Sequence, residues 1–182
     1  AEDMTNPGDL DGVWSDPNHW TTTMGKPTGD GTCIPSITDT VVFDRAGSVC
    51  TIDGSAFCKN FESRTNATIR TTSDLNNLYI AGDFITDANT QNDYYGIINL
   101  VGGGLINTNG VDLVCRELIF NKDAAVWDLQ NDLRIDRNNT SWVRNLFVLS
   151  AGTVNANGYD IYVRNRFISS SQNNRTLNLT GS

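Results

Sequence analysis

The amino-acid sequence predicts an all-β protein and, within that class, a parallel β-solenoid (β-helix) with an N-terminal cap. Three observations carry this prediction. The 182-residue chain is rich in Asn, Asp, Ser, Thr and Gly, which favour turns and caps, while its Thr, Val, Ile and aromatic residues favour strands. Short apolar runs of alternating character recur along the chain. A ten-residue motif, finally, occurs twice, at 107–116 and 155–164.

The two motifs belong to longer copies. "GLINTNGVDLVCRELIF" (104–120) aligns without a gap with "GTVNANGYDIYVRNRFI" (152–168), and a looser copy, "GSVCTIDGSAFCKNFES", occupies 47–63. Each copy combines a strand, a turn with Asn or Asp before Gly, and a second strand of period-2 alternation. The identical positions are Gly104/Gly152, Asn107/Asn155, Asn109/Asn157, Gly110/Gly158, Asp112/Asp160 and Arg116/Arg164.

The constant spacing of the copies favours a solenoid over a β-sandwich, which is the alternative because Asn-Gly is also typical of hairpins. Each coil of a solenoid must stack on the next with the same shape, so its sequence repeats. A 48-residue unit corresponds to two coils of roughly 24 residues. Asn107 and Asn155 are expected at equivalent corners, and Ile106, Leu113 and Cys115 in inward-facing apolar ladders.

From the N-terminus onward, residues 1–45 lie outside the repeat and contain Trp14, Trp20 and prolines, which predicts an N-terminal cap. Residues 46–182 are predicted to form the coils of a single structural domain. Their strand-like runs include 77–86, 125–136 and 145–150, and "GGG" at 102–104 is interpreted as a tight corner. The chain stops just after "LNLTGS" without a recognisable cap, so we expect the first piece of a longer protein.

The net charge of −8 and the pI of about 4.4 argue against several partners. A nucleic-acid backbone or an anionic membrane surface would repel such a protein, so neither is expected as a partner. No stretch approaches the length and hydrophobicity of a membrane-spanning helix. The expected partners are instead surface carbohydrates or other cell-envelope components, together with the remainder of a longer polypeptide.

The sequence does not predict an enzyme. His19 is the only histidine, it is expected to pack in the cap, and no nucleophile or phosphate-loop motif occurs. The alternative is a polysaccharide-active β-helix that uses clustered charges on one face. Its candidate residues are Asp112, Asp160, Arg116 and Arg164, which recur in both copies. We favour for them an alternating set of ion pairs on the outer face.

Aromatic residues give the candidate binding site, because amphipathic rings suit the apolar faces of sugars. The candidate stacking residues are Tyr94, Tyr95, Trp127, Trp142 and Tyr159. No cofactor and no dedicated metal site are predicted. A structural calcium is an option at "TDTVVFDRAG" (38–47) and "GDGT" (29–32), which supply carboxylate and carbonyl oxygens.

The four cysteines, Cys33, Cys50, Cys58 and Cys115, include no Cys-x-x-Cys pair. With a single histidine in the chain, this spacing argues against zinc. An even number of cysteines in such a chain predicts disulfides and an oxidising compartment. Three connectivities are open, and the residues alone do not rank them.

The first 63 residues resemble the N-terminal region of large secreted, multidomain surface proteins of Bacteroidota, several of which are similar to gliding adhesins. The resemblance also extends to "NLYIAGDFIT" and "GTVNANGYDIYV" downstream. It is carried by Trp14 and Trp20, Cys33 and Pro35, Asp39, Val41 and Phe43, and Ala56, Cys58, Lys59 and Asn60. It implies export through the type IX system and a location on the cell surface or outside the cell.

The resemblance also implies a Cys33–Cys58 disulfide between the cap and the first coil. Cys50 and Cys115 depart from the family pattern; they either pair with each other, or Cys115 is a buried thiol in an apolar ladder. The expected function is that of a non-catalytic surface module, an adhesin tip or stalk, with carbohydrate as the expected ligand class. The alternative is a polysaccharide-active β-helix enzyme or its accessory domain.

Overall fold

A computed structural model describes residues 3–5, 12–22, 33–136 and 145–181. Their regular elements are short strands and one 3₁₀ turn, Pro17–His19, here numbered β1 to β20 in chain order. The strands are β1 Asp3–Thr5, β2 Gly12–Val13, β3 Thr40–Phe43, β4 Val49–Ile52, β5 Ser55–Cys58, β6 Phe61–Ser63, β7 Thr68–Thr71, β8 Asn77–Ile80, β9 Phe84–Ile85, β10 Gln91–Asp93, β11 Ile97–Leu100, β12 Gly104–Asn107, β13 Glu117–Phe120, β14 Val126–Leu129, β15 Leu133–Ile135, β16 Leu146–Leu149, β17 Gly152–Asn155, β18 Ile161–Val163, β19 Arg166–Ile168 and β20 Arg175–Asn178.

The strands stack into a solenoid with three sides. The long sheet has the order β1-β3-β6-β9-β12-β14-β17-β20, and the six-stranded sheet has the order β5-β8-β11-β13-β16-β19. The third side consists of β2-β4-β7-β10 and of the pair β15-β18. Every strand pair in the described residues is parallel. The predicted parallel β-solenoid is confirmed, and the β-sandwich alternative is wrong, because its hairpins would be antiparallel.

Each coil is close to the length that the repeat predicted. Residues that face each other across neighbouring coils of the long sheet are 20 positions apart for Val41 and Phe61, 23 for Phe61 and Phe84, and 27 for Trp127 and Val154. The described chain makes about six turns. At the usual strand spacing of about 4.8 Å, the eight strands of the long sheet extend over roughly 34 Å.

The interior is filled by columns of apolar side chains, one residue from each coil. On the six-stranded side, the register places one such column in line. Its members are Cys58, Ile80, Leu100, Phe120 and Leu149, all 1% exposed or less. On the long sheet the rings of Phe61 and Phe84 lie 5.5 Å apart. The predicted inward positions Ile106, Leu113 and Cys115 are confirmed as buried.

The two Asn-Gly pairs occupy the same corner of the solenoid. Asn109 (φ 47°) and Gly110 (φ 81°) follow β12, whereas Asn157 (φ 55°) and Gly158 (φ 90°) follow β17, two strands further along the long sheet. Asn and Gly tolerate this left-handed geometry best. The identical residues of the two copies were expected at equivalent corners, and this is confirmed. The residues with left-handed φ are Asn109 and Asn157, two positions beyond the expected Asn107 and Asn155.

The spatial register differs from the gapless sequence alignment by two residues. Gly104 pairs with Trp127, and Trp127 pairs with Val154, whereas the alignment placed Gly104 opposite Gly152. A shift of two residues preserves the alternation between inward and outward side chains, so the apolar columns remain intact. The longer coil between β14 and β17 accounts for the difference.

The glycines at 102–104 form the tight corner that their sequence predicted. A Cβ atom on Gly102 would lie 1.7 Å from the backbone oxygen of Ala81 in the preceding coil. On Gly103 it would lie 2.7 Å from the oxygen of Val126 in the following coil. Neighbouring backbones thus approach this corner too closely for any side chain.

The N-terminal section packs directly on the first coils. Strand β1 pairs with β3, and β2 pairs with β4. The rings of Trp14 and Trp20 are both buried with centroids 5.0 Å apart, and Trp20 also contacts Phe43 at 6.0 Å. Because β3 begins at Thr40, strands of the long sheet start before residue 46. The division into a cap over 1–45 and coils over 46–182 stays a prediction.

Candidate functional site

Two of the five predicted stacking residues belong to the core, so their assignment as ligand contacts is wrong. Trp127 is completely buried, and Tyr94 is 1% exposed. The Tyr94 Oη atom lies 2.9 Å from the backbone oxygen of Asn76 and 3.1 Å from that of Ile97, and its single proton donates to one of them. Burial raises the pKa of the Tyr94 hydroxyl. The alternation of the strands points both rings inward.

The other predicted stacking residues have different surroundings. Tyr159 is 38% exposed beside the corner formed by Asn157 and Gly158. Tyr95 is half-buried next to the inward-facing Tyr94. Trp142 lies outside the described residues. Among the four predicted aromatic residues that the structure describes, no common exposed surface is formed.

The repeated charged residues form ion pairs between coils. Arg134 Nε lies 3.1 Å from the Asp112 carboxylate, Arg116 Nη1 2.8 Å from Asp74, and Arg164 Nη1 2.8 Å from Asp136. These pairs join Asp112, Arg116 and Arg164 to residues outside the four that recur in both copies. The most exposed of them, between Arg134 and Asp112, should stabilise the fold by at most about 1 kcal/mol.

Asp160, the other acidic candidate, contacts a tyrosine through its side chain. Its carboxylate accepts a hydrogen bond from the Tyr162 hydroxyl at 3.0 Å, and this hydrogen bond raises the Tyr162 pKa. The Arg134 guanidinium lies 4.8 Å from the centroid of the Tyr162 ring. Asp112 and Tyr162 thus converge on Arg134; the Asp112 pair joins two coils, whereas the Asp160 contact stays within one.

The described residues contain no group of three or more His, Cys, Asp or Glu side chains arranged to hold a metal ion. Asp39, a candidate ligand for calcium, accepts hydrogen bonds from the backbone and hydroxyl of Ser36 at 2.8 and 2.6 Å. The second calcium segment, 29–32, lies outside the described residues. His19 is buried and its ring lies edge-on to Trp20 at 5.6 Å, as a packing histidine would.

The four cysteines, all in the described part of the chain, are thiols in the structure, so the predicted Cys33–Cys58 disulfide is not formed there. Cys58 faces the interior in line with Ile80, where it fills the apolar column, and Cys33 packs half-buried against the core. Cys50 and Cys115 are separated by three coils, about 14 Å at the usual strand spacing, which is too far for a disulfide. The buried-thiol alternative for Cys115 is therefore the correct one.

The outer face of the six-stranded sheet is an apolar surface that sequence reasoning missed. Along one column, parallel pairing places outward residues from successive strands in line. These residues are Phe57, Tyr79, Asn99, Ile119, Val148 and Ile168. The rings of Phe57 and Tyr79 stack with centroids 4.9 Å apart and planes 8° apart. We call the outer face of these six strands the apolar strip.

A second outward column runs beside the first and carries polar groups. It contains Ser55, Asn77, Ile97, Glu117, Leu146 and Arg166. Asn99 donates its amide to the Asn77 side chain at 3.0 Å, which connects the two columns. On the third side, by contrast, the outward residues that follow Val13 in register are Thr51, Arg70 and Asp93. The third side therefore carries fewer outward aromatic and aliphatic side chains than the six-stranded sheet, whereas the long sheet also exposes Leu105 (40%) and Val126 (44%).

The C-terminal end of the solenoid exposes further apolar side chains. Phe167 is 46% exposed and Leu179 52%, beside the half-buried Ile161, Val163 and Leu177. With Tyr159 and Asp160, these residues line a depression of about 460 Å³. Strands β18, β19 and β20 end the orders of their sheets in the described chain, so their outer edges are available for pairing.

Comparisons with protein-family models, with curated proteins and with solved structures gave no match to this chain. The resemblance to Bacteroidota surface proteins therefore stays an expectation from the sequence motifs. No helix in the described part of the chain is long and apolar enough to cross a membrane.

Proposed function

We propose that this protein is a secreted, non-catalytic module of a large bacterial cell-surface protein and serves as a rigid adhesin tip or stalk. The fold supports a mechanical role, because a solenoid of parallel coils is an elongated body whose surface repeats along one axis. The Bacteroidota-like motifs and the acidic net charge of −8 are in keeping with a secreted, soluble surface.

The contacts that the charged residues make support the non-catalytic part of the proposal. The recurring arginines contact carboxylates of other coils, as in Arg116 with Asp74 and Arg164 with Asp136. A glycoside hydrolase requires two carboxyl groups facing one sugar bond. Here Asp112 contacts Arg134, and Asp160 contacts Tyr162, so each repeated carboxylate has a separate neighbour. The three ion pairs hold neighbouring parts of the coils together, and none of them brings two carboxylates to one point.

The C-terminal end supports the second part of the proposal, continuation into a longer polypeptide. This end exposes Phe167 and Leu179 and the unpaired strand edges of three sheets. Each internal coil presents apolar side chains and strand edges of the same kind to the next coil. One further parallel coil would cover the depression and pair the strand edges. We therefore propose that the partner at this end is an additional coil of the same polypeptide.

The proposal can be tested with the protein immobilised on a sensor and exposed to intact cells, isolated cell envelope and a panel of purified glycans. Reversible binding to any of these, without release of new reducing ends from the polysaccharides, would support an adhesive module. Release of reducing ends that is lost in Asp160→Asn would overturn the non-catalytic assignment in favour of the enzyme.

Two further outcomes concern the adhesive role and the location. Absence of binding to cells, envelope and glycans would overturn the adhesin assignment and leave a spacer. Antibody labelling of intact cells of the source organism tests the location, and exclusive labelling after lysis would contradict a surface protein.

A further inference from the structure

We propose that the coil that follows at the C-terminal end docks through one apolar column and places a large apolar side chain directly over Phe167. This inference rests on the proposed continuation into a longer polypeptide, and it names the residue and the chemistry by which the partner coil is recognised. Phe167 lies in β19 and points to the interior of the solenoid, opposite the apolar strip.

The column that ends at Phe167 runs through the whole six-stranded sheet. Parallel pairing places in line Ala56, Leu78, Ile98, Leu118, Phe147 and Phe167. The first five side chains are at most 2% exposed, whereas Phe167 is 46% exposed. Each of the first five has another apolar side chain over it in the next strand, and Phe167 has none in the described part of the chain. The column therefore ends one residue too early to bury its last member.

The aromatic rings near this end show what the missing side chain would contact. The Phe147 ring lies 4.9 Å from the Phe120 ring and 5.3 Å from the Phe167 ring, measured between centroids. Aromatic rings at such distances attract each other beyond the effect of their buried area. Phe147 contacts two rings in this way and is fully buried, whereas Phe167 contacts one ring among the described residues. A large apolar side chain over Phe167 would bury the exposed part of its ring.

The other two sides of the solenoid lose burial at the same level. On the long sheet, Val154 is fully buried, and its partner in the last strand, Leu177, is half-buried. On the third side, Ile135 is fully buried, and its partner Val163 is half-buried. All three interior columns are thus uncovered together, and a partner one coil in height covers them in a single layer.

The backbone at this end requires a strand as the partner. Strands β18, β19 and β20 each end a sheet, so one edge of each has N–H and C=O groups that no described strand pairs. A small molecule in the depression of about 460 Å³ can cover apolar side chains, but it cannot pair three strand edges. A parallel coil does both with the interface that already joins the internal coils.

A second copy of the chain fits this end less well than a following coil. Stacked head to tail, the second copy would present the beginning of its own column, where Ala56 is already fully buried and offers no uncovered side chain. Two C-terminal ends related by a two-fold axis would pair their strands antiparallel. Every strand pair in the described residues is parallel.

The experiment extends the full chain by a copy of residues 160–182, appended after residue 182. Val154 and Leu177 are paired 23 positions apart, and the copied segment has the same length, so the copied phenylalanine falls over Phe167. A second extension uses residues 112–132, whose Leu118 belongs to the same column, and it serves if the first copy does not fold. The variants are Phe167→Ser and, as the control, Arg166→Ser, which changes an exposed outward residue of the same strand.

Both extensions should raise the melting temperature by about 5 °C or more, because each buries the end of the apolar columns. Hydrogen exchange of the β19 and β20 amides should slow at least tenfold. Phe167→Ser should remove at least half of the gain in melting temperature, and Arg166→Ser should retain it. Circular dichroism verifies that each variant is folded before extension.

The contrary results separate this inference from the function on which it rests. An undiminished gain in Phe167→Ser would overturn the role of the column and leave the continuation standing. Absence of both the gain and the slowed exchange with either extension would overturn the continuation as well. Concentration-dependent dimerisation of the unextended chain that Phe167→Ser abolishes, measured by sedimentation, would assign this end to a second copy instead.

Discussion

Replacement of Gly102 by alanine tests the close stacking of coils at the glycine corner. The added Cβ would lie 1.7 Å from the Ala81 backbone oxygen, whereas ordinary contacts begin at 3.4 Å, so the two coils must separate by about 1.7 Å at this point. That displacement is roughly one-third of the strand spacing of about 4.8 Å. Overpacking of a rigid site typically costs about 1–3 kcal/mol, and a clash with backbone belongs at the upper end. We expect Gly102→Ala to lower the melting temperature by about 6–12 °C.

Gly54→Ala is the matched control, because a Cβ at Gly54 meets no atom within 4 Å. Neither glycine has a φ in the left-handed range, so the two substitutions differ in steric contact alone. Alanine at Gly54 should leave stability unchanged or raise it by about 0.4–1 kcal/mol, since it restricts the unfolded chain. Urea unfolding followed by tryptophan fluorescence measures both variants. Equal midpoints for Gly102→Ala and the wild type would refute the close approach of the coils.

Three further predictions concern buried groups and surface charges. Burial raises the pKa of the Cys115 thiol to about 12, whereas the unfolded thiol ionises near 9, so the folded state retains a proton that the unfolded state loses above pH 9. The free energy of unfolding should therefore fall between pH 9 and 12, and this thiol should not affect it below pH 8. A Cys115→Ala variant whose free energy of unfolding declines as steeply with pH as that of the wild type would contradict this account. Tyr94→Phe removes a buried hydrogen bond and should lower stability by about 0.5–1.5 kcal/mol in urea unfolding without changing glycan affinity. A change in affinity would show that the Tyr94 hydroxyl contacts a ligand after all. Arg134→Gln should cost less than about 1 kcal/mol because the pair with Asp112 is nearly half exposed, whereas Trp127→Ala should cost about 3–5 kcal/mol in the same assay. The reverse order would mean that surface ion pairs rather than the core stabilise the coils.

The sequence was sufficient to predict the solenoid but not which aromatic side chains lie on its outer face. The repeat and the Asn-Gly corners depend on local backbone geometry, which a sequence records directly. The inward or outward direction of a side chain depends on the phase of each strand, and an error of one residue reverses it. Trp127 was therefore assigned to the surface although it is buried, while Phe57 and Tyr79 were overlooked because they meet only when two coils are stacked.

The cysteines show a second limit of inference from sequence. An even number of thiols is consistent with disulfides, but it is equally consistent with small apolar side chains that fill a core. The distinction depends on three-dimensional placement. Cys50 and Cys115 each follow a valine in the sequence, yet they lie three coil spacings apart. Only the stacking order of the coils shows that these two thiols cannot meet.

Pairing between adjacent coils also has a consequence for how such a molecule can change in evolution. Each internal strand of the long sheet contacts the strand one coil before it and the strand one coil after it. A duplicated segment of about one coil could be inserted between two neighbours and satisfy both with the interfaces already in use. Duplication of coils can therefore change the length of the protein without a change at either end. The distance between its two ends changes accordingly.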